Sequence, residues 1–213
     1  IFWMRMTEAL ARPVRETDLP GLIAMIRQQS AQVRGALHGS MLRIDVYNFA
    51  RLGTFLERAD NTARILDVKF VQAEDADPAD AAGVAPNPER DDLGDFYHWT
   101  ALLRSVSSFE IYRKVYRDVV TPERVAELLI LRPDMPRSLA ACMNALMLNL
   151  GLVANAQSSE TLRRAGRLQS DLKYGRIDEI LATGLHAYLT QFLDRVGDLG
   201  VGISRDFLVP MAA

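Results

Sequence analysis

The sequence is short of the residues on which most enzymatic chemistry depends. It holds one cysteine, Cys142, so no disulfide can close within the chain. In Leu139-Ala140-Ala141-Cys142-Met143 that thiol reads as a small core side chain, since its neighbours are apolar and no histidine is near it in sequence. There are only three histidines, His38, His98 and His186. Helical bundles that hold two metals use Glu-x-x-His pairs, whereas the residues three before these histidines are Gly35, Asp95 and Thr183. Only Asp95-Phe96-Tyr97-His98 comes near the pattern, so no metal site is expected. Phosphate-cradling glycine loops are missing, with neither G-x-x-x-x-G-K-S/T nor a G-x-G-x-x-G after a strand. The G-x-S-x-G elbow of serine hydrolases is missing too, and no cofactor is expected. No uncharged apolar run reaches the about 18 residues that a membrane span needs. Ile1-Phe2-Trp3-Met4-Arg5 lacks the character of a signal peptide, which makes the cytoplasm the expected compartment. No alternating strand pattern of useful length occurs, leaving an all-α chain.

What is present is an ordinary globular composition, 49% apolar and 24% charged, in 213 residues, enough for one well-buried helical domain over 1–213. The net charge of −2 hides an uneven distribution. Residues 74–95 carry eight acids against Arg90, together with Pro78, Pro86 and Pro88, and read as a flexible acidic linker. Their acids lack the alternating spacing around a central glycine that a calcium loop requires. The remainder carries +5, mildly favourable to an anionic substrate or an acidic partner but far below a nucleic-acid-binding profile.

Helical periodicity and stop signals divide the chain into about seven helices, most simply an up-and-down bundle. The first ends by Leu10, ahead of Pro13. The second is capped by Thr17 or Asp18, has Pro20 in its first turn and ends near Leu37, with Gly39 suited to the left-handed position beyond it. A central helix runs from between Met41 and Asp45 to about Ala73. After the acidic segment come helices over 96–118, 122–131, 137–155 and 159–174, and a last one capped by Asp178.

The central helix organises the rest. Leu52, Leu56, Ala59, Ala63, Leu66 and Phe70 fall within one arc at 100° per residue, the spacing of a helix that buries one side. Glu57, Asn61 and Arg64 align on the other side, with Arg58 between Thr54 and Thr62. Tyr47, Ile65 and Val68 share that second side, which predicts burial on both sides and therefore an arginine partner for Glu57. Two readings of the group follow. In one, Glu57 is an acid/base and Arg58 and Arg64 grip a carboxylate or phosphate. In the other, favoured by the lack of an accompanying nucleophile, the charges form an ion-pair network that fixes helix register. Arg163-Arg164-Ala165-Gly166-Arg167 is a basic helix face, either solvated or a surface for an anionic ligand or partner.

Leu56-Glu57-Arg58-Ala59-Asp60-Asn61-Thr62-Ala63-Arg64, preceded by Arg51-Leu52-Gly53, resembles the signature of the bacterial alpha-E family, helical proteins named for a Glu-Arg motif. Arg12-Pro13-Val14-Arg15-Glu16-Thr17-Asp18, Arg34-Gly35-Ala36-Leu37-His38-Gly39 and Met135-Pro136-Arg137-Ser138 are similar as well, so the likeness spans nearly the whole chain. Family members usually extend further at the N-terminus, so on this resemblance the chain is expected to be the C-terminal portion of such a protein, and the acidic stretch looks like an insertion. The resemblance implies an all-helical fold and partners of the ATP-grasp ligase and transglutaminase-like peptidase kinds. A role in synthesis or modification of a peptide follows, as an accessory protein or as an enzyme using Glu57 and Arg58. Asn61, Arg64 and Arg137 would then hold a peptide or an acidic small molecule, with Arg132 and Arg137 brought to the central helix by the turn between them.

Overall fold

In the computed structural model, residues 2–11, 13–74 and 88–208 are described. Every regular element among them is helical, and the chain divides into two compact units, 1–47 and 48–213. No helix among the described residues is long and apolar enough to cross a membrane.

The first unit contains α1 (Phe2–Leu10), a short 3-10 turn (Glu16–Asp18) and α2 (Leu19–Ser40). Pro20 lies in the opening turn of α2, where its missing N–H removes no helical bond. The Asp18 side chain does not cap α2; it pairs with Arg15 at 3.1 Å. Gly39 lies within α2 rather than beyond its end, because the helix continues to Ser40 and leaves through Met41 in extended conformation.

From Asp45, α3 carries the chain to Glu74 and into the second unit. There α4 (Pro88–Ser105), α5 (Phe109–Tyr116), α6 (Pro122–Ile130), α7 (Leu139–Leu152), α8 (Ser159–Tyr174), α9 (Ile177–Thr183) and α10 (Leu185–Ile203) follow, with one π-helical turn at Ser204–Leu208. Ten α-helices among the described residues replace the expected seven or so. Two residues with positive φ account for much of the difference. Ser107, at φ 57°, breaks the predicted 96–118 helix into α4 and α5. Gly184, at φ 95°, separates α9 from α10, in a backbone conformation that only glycine adopts without strain. Of the expected acidic linker, 75–87 lies outside the described residues, and 88–95 forms the opening turns of α4.

The core of the second unit is drawn from all of its helices. Leu52, Phe55, Ala59, Ala63, Leu66 and Phe70 of α3 are buried, Phe70 lying 4.5 Å from the Trp99 ring of α4. Helix α6 contributes Val125, Ala126, Leu128, Leu129 and Ile130, and the Thr121 hydroxyl caps it by accepting from the Arg124 N–H. Ser138 caps α7 in the same way through the Ala141 N–H, while its own hydroxyl donates to the Arg132 carbonyl at 2.5 Å. One residue thereby closes the 132–138 turn and starts α7. Among the described residues, helices α7 and α8 pack along each other most extensively, with α10 packed on α8.

Candidate functional site

The central helix is buried on one side, not two. Glu57, Asn61, Arg64, Ile65 and Val68 are exposed, Ile65 at 37% and Val68 at 52%. The apolar arc is otherwise as its spacing predicts, except that Phe55 joins it and Leu56 is only half-buried. The expected partner for Glu57 is not found: its side chain makes no ion pair or hydrogen bond among the described residues. Helical geometry explains why. Arg64 lies seven residues on, about 10 Å along the axis. It is instead four residues from Asp60, with the acid N-terminal to the base, the favoured order. Its Nε and Nη2 accordingly donate to the Asp60 carboxylate at 2.8 and 3.0 Å, and the pair raises the Arg64 pKa through that hydrogen bonding and its charge.

Arg58 has a different task. Rotated about 100° from Glu57 on the helix, its side chain is half-buried and donates from Nη1 to the carbonyl of Pro136 at 3.2 Å. One turn further, the buried Thr62 hydroxyl donates to the carbonyl of Arg137 at 3.0 Å. The turn of Met135-Pro136-Arg137-Ser138 is thus held against α3 at two successive carbonyls. Phe55 completes the junction, its ring centroid 5.4 Å from the Arg58 guanidinium and 4.4 Å from that of Arg51. Cys142 lies in the first turns of α7 behind this turn and is fully buried. Burial pushes its thiol up to about 11, against the opposing charges of Arg58 and Arg137. Intact protein at pH 8 is therefore expected to react with a thiol reagent such as DTNB many times more slowly than protein in denaturant. Comparable rates would show that the turn opens readily.

The sequence-predicted residues separate accordingly. The Arg58 guanidinium and the Arg137 backbone carbonyl both lie at the α3 junction, and Glu57 and Asn61 stand on the open face of the helix. Arg64 pairs with Asp60, and Arg132 pairs with Asp134 at 2.6 and 2.9 Å, each through two of its three guanidinium nitrogens. Thr62 and Asp60 were not singled out from the sequence. The signal for Asp60 was local, since it is four residues before Arg64, whereas the Thr62 bond to a carbonyl 75 residues away is set by tertiary packing. Asp67 paired with His186 at 2.7 Å could not be foreseen, because 119 residues separate them. His38 meets Tyr47, and His98 stands edge-on to Trp99 at 4.9 Å. Among the described residues no three His, Cys, Asp or Glu side chains come together as a metal-ligand set.

A family model described as alpha-E, a predicted alpha-helical domain with a conserved ER motif, matches residues 2–208. The Glu-Arg dipeptide occurs at 57–58, 89–90 and 123–124. No curated protein and no solved structure matches the chain.

Proposed function

The chain belongs to the alpha-E family, and from that membership we propose that it is an accessory helical protein of a peptide-synthesis or peptide-modification system. Its partners would be enzymes of the ATP-grasp ligase and transglutaminase-like kinds. The reading treats 1–213 as one domain, which the extent of the family match supports.

The observation that carries it is the open face of α3. Glu57, Asn61, Ile65 and Val68 follow at helical spacing on that face, a carboxylate with no counter-charge among the described residues beside two exposed aliphatic side chains. A charged group next to apolar surface is what a polar-rimmed protein interface uses. Arg58, fixed on a backbone carbonyl, supports the face from behind by pinning the turn. A partner for this face would present an arginine or lysine to Glu57 and apolar side chains to Ile65 and Val68.

Reversing the charge with Glu57→Arg is expected to weaken co-purification with the ligase or peptidase partner at least tenfold, with the melting temperature unchanged within about 1 °C. Unchanged co-purification would overturn the reading. The alternative is an enzyme in which the unpaired Glu57 is the acid/base and Arg58, Asn61, Arg64 and Arg137 hold an acidic substrate. Glu57→Gln separates the two: product lost with partners retained supports the enzyme, and product made at the native rate supports the accessory role.

A further inference from the structure

Away from α3, a cleft of about 390 Å³ opens between α8 and α10. Its walls are Arg163, Arg164 and Arg167 from α8 and Arg195, Gln191 and Asp198 from α10, over a floor of two leucines. The α8 residues form the basic face of the sequence. The arginine added by α10 could not be seen in it.

The charges of this cleft are not settled by their own partners. Arg163 and Arg164 share the single carboxylate of Glu160, through contacts of 2.7 to 2.8 Å. Their hydrogen bonds hold the Glu160 carboxyl down to about 2, so it stays ionised at any physiological pH. Arg195 pairs with Asp171 at 2.7 Å, and Arg164 approaches Asp198 only to 4.0 Å. The Arg167 side chain makes no ion pair or hydrogen bond among the described residues. Four guanidiniums thus face three carboxylates, leaving a positive excess centred on Arg167.

Stability gives little reason for such an arrangement. Arg163 and Arg167 are like charges at i,i+4, and Arg164 and Arg167 at i,i+3, both unfavourable on an isolated helix. The pairs that are made are largely exposed, and exposed pairs contribute little. An anion seated between the helices would relieve the repulsion and use the N–H donors that remain on Arg163, Arg164 and Arg167. Guanidinium forks match the oxygens of phosphate and carboxylate, and the apolar floor strengthens the attraction by excluding water from one side. The volume lies within the range of small-molecule sites.

We propose that the cleft between α8 and α10 binds a small multivalent oxyanion, held by Arg163, Arg164 and Arg167 from one helix and Arg195 from the other. This site is separate from the Glu57 face and does not depend on the role proposed for it.

The test is titration calorimetry and thermal melting of the full chain with sodium tripolyphosphate and, separately, citrate, ionic strength being held constant with sodium chloride. One of the two is expected to bind once per chain and to raise the melting temperature. Whichever binds more tightly identifies the anionic group, and either preference upholds the site. Arg167→Ala, at an exposed position, is expected to weaken binding at least tenfold while leaving the ligand-free melt unchanged. Arg167→Lys should weaken it severalfold, because the charge remains and the fork is lost. Arg113→Ala, in a different cleft with Arg117 and Asp118, should have no effect. Equal binding by wild type and Arg167→Ala, or a response to ionic strength alone, would overturn the proposal.

Discussion

Leu66→Ala is expected to cost about 2–5 kcal/mol of folding stability, whereas Ile65→Ala, one residue away, should cost under about 1 kcal/mol. Leu66 is 0% exposed in the core of the second unit, and Ile65 is 37% exposed. Truncating the buried side chain loses its transfer energy and leaves a cavity that its neighbours fill only in part. At roughly 2–4 °C per kcal/mol for a chain of this size, the core variant should melt several degrees or more below wild type. Urea denaturation of the two variants measures the contrast directly. Similar losses would mean that α3 is buried on both sides after all, and that its open face is covered in solution.

Gly202→Ala is the second large effect, at about 3 kcal/mol. A methyl group there would lie 2.6 Å from the Thr161 hydroxyl and 3.3 Å from its methyl, so Thr161 must move. Thr161 has little room to move, because its hydroxyl donates to the carboxylate of Asp206 at 2.5 Å. Asp206 is 6% exposed and ties down the π-helical turn at Ser204–Leu208; its other oxygen accepts from Arg205 at 2.8 Å, and its backbone carbonyl accepts from Asn155. Burial alone would raise the Asp206 carboxyl, yet the hydrogen bonds from Thr161 and Arg205 outweigh it and hold the group below its usual value. The added methyl therefore combines overpacking with a weakened bond to a buried charge. Thr161→Ala removes the clash and the bond together. In a double-mutant cycle, Gly202→Ala on the Thr161→Ala background should cost less than about 1 kcal/mol. A cost as large as on wild type would locate the strain elsewhere.

The two variants also mark how far local pattern reaches. The arc containing Leu66 follows from the 3.6-residue period of one helix, and the structure buries it as the spacing requires. The contact between Gly202 and Thr161 joins α10 to α8 across about forty residues, and no periodicity within either helix contains it. The error over Glu57 has the same origin. Apolar residues on a second side of α3 predict a second neighbour, but whether one arrives depends on how the other helices pack. Ile65 and Val68 were sufficient to suggest burial and insufficient to bring it about.

The amino-acid sequence alone determined that the chain is helical, that the Leu66 face of α3 enters the core, that a helix starts at Pro122, and which family the chain resembles. Each of these depends on residues within a few turns of one another, so short-range periodicity, capping chemistry and motif identity suffice. The tertiary structure decided that Arg58 and Thr62 bond carbonyls more than seventy residues away, that Glu57 is left open, and that Arg195 joins three arginines of α8 around one cleft. Those outcomes depend on the crossing and rotation of packed helices, which are set by the fit of whole side-chain surfaces and not by the pattern along any one of them.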